Sequence, residues 1–332
     1  MSSRLRWDPV LEEWVVIAAH RLSRTFLPPR KWCPLCPTRA GLPATELTEP
    51  DYQVAVFENR WPSFDTRTEA GAGAAGEASG LYRERPARGI CEVVCYTSDH
   101  DRTLAGLSRR QLERLVEVWQ DRYLCLGSKP GIKYVFIFEN KGEPVGVTLH
   151  HPHGQIYAFP YLPPRIKREL DSARRYHRRT GQCLFCETLA RELADGRRLV
   201  AVNDTFAAFV PYAARWSYEV HVYSRRHLAS LAEFGPAERA GLAAILKEVT
   251  GRYDRLFDLS FPYMMVFHQA PTDGRKHPGY HFHLEFYPPL RARDKLKYLA
   301  GCESGAGTFI NDTWPEESAA QLRGSKAGKR RP

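Results

Sequence analysis

The strongest constraint on this chain is that much of it is written twice. The segment CEVVCYTSDHDRTLAGLSRRQLERLVEVWQDRY, from Cys91, and the segment YEVHVYSRRHLASLAEFGPAERAGLAAILKEVTGRY, from Tyr218, follow one plan. Each reads as an alternating strand, a histidine at its end (His100, His227), a short loop, and an amphipathic helix closing on Arg-Tyr. An apolar strand follows in both, KYVFIFENKG from Lys133 and PYMMVFHQAP from Pro262, then a glycine-containing loop and a histidine-rich strand, HPHGQ from His151 and HFHLE from His281. The expected fold class is α+β: two tandem repeats with a mostly antiparallel sheet and flanking helices, their sheets joined about a pseudo-twofold axis. The first repeat is placed at 1–165, the second at 166–300, and a C-terminal extension at 301–332. The Arg- and Glu-rich stretch from Leu162 to Thr180 reads as a linking helix, and WPEESAAQLR, from Trp314, as a last helix before a disordered basic tail. The stretch TRTEAGAGAAGEASG, Thr66 to Gly80, reads as a mobile loop.

Each repeat also has a Cys-x-x-Cys upstream, at Cys33 and Cys36 and at Cys183 and Cys186. Neither pair begins a helix after a strand, as a thioredoxin-like redox pair would, so metal binding is the favoured reading. Two cysteines and two histidines make a closed tetrahedral set of the kind zinc prefers. The repeat nominates Cys33, Cys36, His100 and His151 for one ion, and Cys183, Cys186, His227 and His281 for a second. Four protein ligands leave no open position, so such ions hold structure and do not activate water. Cys91, Cys95, Cys125 and Cys302 read as small apolar residues in strands and helices.

In an extended strand His151, His153 and Gln155 share a face, and Pro152 argues for an edge or terminal position. With His151 on a metal, His153 is the free imidazole there, and neutral imidazole is a good nucleophile toward phosphorus. The loop ENKGEPVGVT supplies Gly142, Gly146 and backbone donors suited to phosphate oxygens. Gln155 can hold phosphoryl oxygens but can neither protonate a leaving group nor deprotonate a water. A phosphate leaving group needs no such help, so the set favours nucleotidyl transfer over hydrolysis.

Composition bounds the partners. No apolar run in the 332 residues approaches the ~18 of a spanning helix, and the first residues lack a signal-peptide core, so a soluble, cytoplasmic protein without membrane partners is expected. The net charge of +10 suits anionic partners, either nucleic acid or phosphorylated small molecules, and part of it sits in the tail GSKAGKRRP.

The run FENKG…HHPHGQIYA resembles the active-site region of the galactose-1-phosphate uridylyltransferase family, within the histidine-triad superfamily. The resemblance covers nearly the whole chain, through DPVLEEWVVIAAHRLSR, CPLC, VFENRWPSF, SDHDRTL, RYDRLFDLSFPYMMVFHQAP and EFYPPL in order. It implies that His153 becomes uridylylated, that Gln155 steadies phosphoryl oxygens, and that Cys33, Cys36, His100 and His151 hold zinc. It further implies Arg21 and Arg24 near the nucleotide phosphates, Asn59, Asn140 and Thr148 lining the nucleotide pocket, Lys297 near a sugar phosphate, and a homodimer. The implied reaction carries uridylyl from UDP-glucose to galactose-1-phosphate.

The chain departs from that pattern in three places. Some family members hold iron with a glutamate and three histidines, and the matching positions here are Glu169, His268, His283 and Glu285, the last a carboxylate in place of a histidine. An asparagine-aspartate pair reads Asn59-Arg60, and a glutamine near the sugar aligns approximately with Phe309. The rival readings are an ADP-sugar or dinucleoside polyphosphate phosphorylase and, more distantly, a zinc-stabilised nucleic-acid-binding protein. The latter would need a basic stripe with interleaved aromatics, whereas the unusual residues gather around one phosphate-sized site, so no nucleic-acid partner is expected.

Overall fold

A computed structural model of the chain describes residues 3–41, 44–66 and 80–325. The chain runs β1 (Arg4–Asp8), β2 (Glu13–Ile17), β3 (Ala55–Glu58), β4 (Glu84–Pro86), β5 (Ile90–Cys95), α1 (Arg109–Gly127), β6 (Tyr134–Lys141) and β7 (His153–Phe159) through its first half. The linking helix α2 (Pro164–Thr180) leads to α3 (Leu184–Asp195), β8 (Leu199–Val202), β9 (Phe206–Phe209), β10 (Val220–Ser224), α4 (Pro236–Leu256), β11 (Tyr263–His268) and β12 (His283–Tyr287). A short hairpin, β13 (Leu290–Ala292) and β14 (Lys295–Leu296), then α5 (Gly301–Ala306) and α6 (Pro315–Gly324) complete the described chain. The loop expected over 66–80 and the basic tail lie mostly outside the described residues.

Nine strands form one antiparallel sheet in the order β3-β5-β7-β6-β11-β12-β10-β9-β8. The order is a near palindrome of the repeat: β6 pairs with β11 at the centre, with Asn140 opposite Met264, and β7 and β12 flank that seam. The pseudo-twofold joining of two half-sheets is therefore realised. Strand β7 sits inside the sheet, not at its edge, and Pro152 stands just before its first residue, where a missing N–H costs no ladder bond.

One sheet face is covered by α1 and α4, the matching helices of the two copies. Helix α1 buries Leu112, Leu115, Val116, Trp119, Tyr123 and Leu126, a helical stripe, and starts with a capping box in which Ser108 and Gln111 bond reciprocally. Helix α4 begins with Pro236 and buries Leu242, Ile245, Leu246, Val249 and Tyr253. Fully burying each such side chain stabilises by about 1.5–3 kcal/mol. Along β7 the alternation separates roles: Ile156 and Ala158 enter this core, while His153, Gln155 and Tyr157 point to the other face. Among the described residues no helix is long and apolar enough to cross a membrane.

Candidate active site and metal groups

The first Cys₂His₂ group is assembled from three separate segments. Cys33 and Cys36 come from the loop after a short helical turn, His100 from the loop after β5, and His151 from the entry to β7. Their ligand atoms lie within 4.8 Å of one another. Cys36 Sγ is 3.2 Å from His100 Nδ1 and 3.5 Å from His151 Nδ1, and His151 Nε2 donates to the Thr97 carbonyl at 2.8 Å. That bond leaves Nδ1 as the nitrogen free to ligate. Burial, with Cys33 beside it, pushes the Cys36 thiol up to about 12, a cost that a bound dication removes by taking the thiolate.

The second group repeats this geometry. Cys186 Sγ is 3.3 Å from both His227 Nδ1 and His281 Nδ1, and His281 Nε2 donates to the Ser224 carbonyl at 2.8 Å. Thr97 and Ser224 occupy the same place in the repeat, so even the outer hydrogen bond is duplicated. The donor sets, with the tautomers of His151 and His281 fixed by their carbonyl partners, fit a four-coordinate metal in both copies.

His153 follows directly on the first group. Its Nδ1 donates to the His151 carbonyl at 2.7 Å, which leaves the lone pair on Nε2. Burial lowers its pKa below the ordinary histidine value, which keeps the ring neutral and nucleophilic. A polar cleft of about 220 Å³ brings His153 together with Arg21, Arg24, Asn140, Gly146, Thr148, Gln155 and Tyr157. A connected slot of about 120 Å³ adds Pro34, Leu35, Phe57, Asn59, Arg60 and Val93. Pro34 and Leu35 lie between Cys33 and Cys36, so the first Cys₂His₂ group also shapes a wall of the slot. The Arg21–Arg24 turn is tied down by Leu27, whose N–H donates to the Thr148 carbonyl at 2.8 Å.

The sequence reading missed Tyr157. Arg21 Nη1 donates to its hydroxyl at 3.3 Å, and that hydroxyl donates to Gln155 Oε1 at 3.3 Å. Asn59 Nδ2 donates to the same oxygen at 3.3 Å. With its oxygen engaged twice, Gln155 presents its NH₂ as a donor. The available signal was the strand period, since Tyr157 shares a face with His153 and Gln155 and Tyr287 stands at the same offset in the second copy. Lys297 lies elsewhere: it pairs with Glu303 at 2.9 Å and does not line either cavity around His153.

Comparison with known proteins matches residues 1–163 to the family model of the N-terminal domain of galactose-1-phosphate uridyl transferase and residues 169–327 to that of its C-terminal domain. The chain belongs to this family. A galactose-1-phosphate uridylyltransferase of Thermotoga maritima is 45% identical over 96% of this chain and 97% of its own length. That of Haemophilus influenzae is 34% identical over 96% and 93%. A solved uridylyltransferase structure superposes with a TM-score of 0.84 at 35% identity, covering 97% of this chain and 98% of the other. An ADP-glucose phosphorylase from Arabidopsis thaliana, 23% identical with a TM-score of 0.75, shares the fold. The protein is thus an enzyme of the galactose-1-phosphate uridylyltransferase family, a uridylyltransferase.

In this uridylyltransferase the second copy keeps the layout of the site but not its chemistry. His283 stands where His153 stands, and its Nδ1 donates to the His281 carbonyl at 2.9 Å as His153 does to His151. Glu285 replaces Gln155, and Tyr287 donates to it as Tyr157 donates to Gln155. His283 is 1% exposed, against the ring of Phe185 at 4.9 Å, so no substrate reaches it. A third convergent group forms there from Glu169, His268, His283 and Glu285, whose ligand atoms also lie within 4.8 Å of one another. Burial raises the cost of charge on Glu285, but His221, His268 and Arg165 outweigh it and hold that carboxyl well below its usual range.

Proposed function

We propose that the enzyme transfers a uridylyl group from UDP-glucose to galactose-1-phosphate by double displacement through His153. The observation that carries this reading is the pairing of a nucleophile and a donor without an acid: His153 held by the His151 carbonyl, and Gln155 held by Asn59 and Tyr157.

In the first step Nε2 of His153 attacks the α-phosphorus of UDP-glucose. The N–P bond forms, the bond from that phosphorus to the bridging oxygen breaks, and glucose-1-phosphate leaves with the electron pair. The Nδ1 proton stays in its hydrogen bond to His151, which spreads the positive charge of the substituted ring. Gln155 Nε2 and the Arg21–Arg24 turn stabilise the phosphoryl oxygens as charge builds there. In the second step a phosphate oxygen of galactose-1-phosphate attacks the same phosphorus and the electron pair returns to Nε2. No proton changes hands, which is why an amide serves where a hydrolase needs an acid.

The apolar slot of Pro34, Leu35, Phe57 and Val93 fits a flat base, with Asn59 and Arg60 at its polar rim. Both Cys₂His₂ groups are read as zinc sites. A bound zinc would fix the Cys33–Cys36 turn against the slot and the entry to β7 beneath His153.

A second reading, an ADP-sugar phosphorylase using inorganic phosphate as acceptor, is favoured by the shared fold of the Arabidopsis thaliana enzyme. Initial rates with UDP-glucose and galactose-1-phosphate decide between them. Parallel double-reciprocal lines and formation of UDP-galactose support uridylyl transfer. Faster turnover of ADP-glucose with inorganic phosphate would replace it by the second reading.

A further inference from the structure

The third convergent group, Glu169, His268, His283 and Glu285, stands where the sequence comparison places an iron site in some members of the family. Its carboxylates, however, are already engaged. Arg165, in the first turn of α2, donates from Nη2 to Glu285 Oε2 at 2.7 Å and from Nε to Glu169 Oε1 at 3.5 Å. Tyr280 donates to Glu169 Oε2 at 2.9 Å, and Tyr287 donates to Glu285 Oε2. The remaining oxygen, Glu285 Oε1, lies 3.3 Å from His221 Nε2, which is itself held by Glu219 at 2.9 Å. An incoming dication would have to displace these donors and sit beside a guanidinium, where like charges in a poorly hydrated interior repel strongly.

We propose that Arg165 is the resident cation of this group and that the group takes no metal ion in this protein. The substitution that puts Glu285 in place of a histidine adds one negative charge, and the guanidinium supplies one positive charge to offset it. Arg165 thereby clamps the linking helix to β12, and its guanidinium carbon lies over the Tyr287 ring, 5.0 Å from the centroid. His268 Nδ1 makes no aligned hydrogen bond, although it lies 3.1 Å from Glu169 Oε1, and His283 Nε2 lies 3.7 Å from Glu285 Oε1, so these two nitrogens are the atoms an ion at this group would use.

The test is a metal count on the full chain, with variants that separate the sites. In the wild-type protein the joint substitution Glu169→Gln, His268→Ala should leave the number of bound ions unchanged, whereas Cys183→Ser, Cys186→Ser lowers it by one. Arg165→Met exposes the two carboxylates to each other, so it should melt at lower temperature and bind one Mn²⁺ per chain, seen by electron paramagnetic resonance, with recovery of the melting temperature. Arg165→Met, Glu285→Gln removes both charges; it keeps a folded control if the single variant does not fold, and should bind no Mn²⁺. A wild-type ion that disappears with Glu169→Gln, His268→Ala overturns the proposal. So does a folded Arg165→Met protein that melts as the wild type does and binds no Mn²⁺.

Discussion

Asn59 reaches from the end of β3 to the side-chain oxygen of Gln155 in β7 and donates to it at 3.3 Å. Together with the Tyr157 hydroxyl, which donates to the same oxygen, this contact sets which end of the amide faces the cleft. Asn59→Asp would place an acceptor against an acceptor, turn the amide over, and present its oxygen to the phosphoryl group. A cost of about 1.5–3 kcal/mol corresponds to roughly 10- to 100-fold slower transfer, with Asn59→Ala falling less. Equal rates for the two variants would show that Tyr157 alone orients Gln155.

Gln155 should also set the ratio of transfer to hydrolysis. Gln155→His introduces a group that can move a proton, so free UMP should rise relative to new nucleotide sugar at fixed acceptor, even as total activity falls. An unchanged ratio would mean that water is kept out by packing and that the amide does not select the acceptor.

Gly154 lies between His153 and Gln155, the side chains proposed to carry the transfer, and has its own requirement. A Cβ there would fall inside contact distance of the Tyr96 hydroxyl and 3.0 Å from the Phe138 carbonyl oxygen. Gly154→Ala should therefore lift β7, costing about 1–3 kcal/mol of overpacking and lowering the maximal rate more than the affinity. Adding Tyr96→Phe removes the obstructing oxygen and should restore part of the loss. If the double variant is no better than the single one, the strand is positioned by Phe138 instead.

Much of this was legible in the sequence because the repeat supplies two observations of each feature. A lone Cys-x-x-Cys says little, but Cys33–Cys36 and Cys183–Cys186, each followed by histidines in the same order, located both convergent groups. Phase along β7 placed His153 and Gln155 on one face. The place of β7 in the sheet was less legible, since Pro152 argues equally for an edge and for a strand's first turn. Arg165 and Tyr157 were not singled out: their roles depend on partners 120 and 136 residues away in sequence, Glu285 and Arg21. Lys297, named through family resemblance, stands against Glu303 in this chain and away from the cleft around His153.

A pH effect on stability follows from Glu139, a buried residue of β6 paired with Met265 across the central seam. Burial pushes its pKa up to about 8, against partial relief from Lys141 and Tyr263. The folded state thus keeps a proton that the unfolded chain releases near the ordinary carboxyl value. Stability should fall as pH rises from about 4.5 toward 8, by a few kcal/mol in order of magnitude, and level off above. Urea denaturation of the wild type and Glu139→Gln at pH 5 and pH 8.5 checks this. The variant should gain on the wild type at the higher pH, and a pH-independent difference would mean that Glu139 does not titrate in this range.

The central claim is that His153 carries the uridylyl group between the two half-reactions, and the mass of the intact protein tests it most directly. After incubation with UDP-glucose and removal of small molecules, the wild-type chain should gain the mass of one uridylyl group, located on His153 by peptide mapping, and lose it on addition of galactose-1-phosphate. His153→Gly should gain nothing while retaining its fold and metal. A wild-type chain that turns over both substrates without ever acquiring that mass, or a His153→Gly chain that acquires it, would contradict the account.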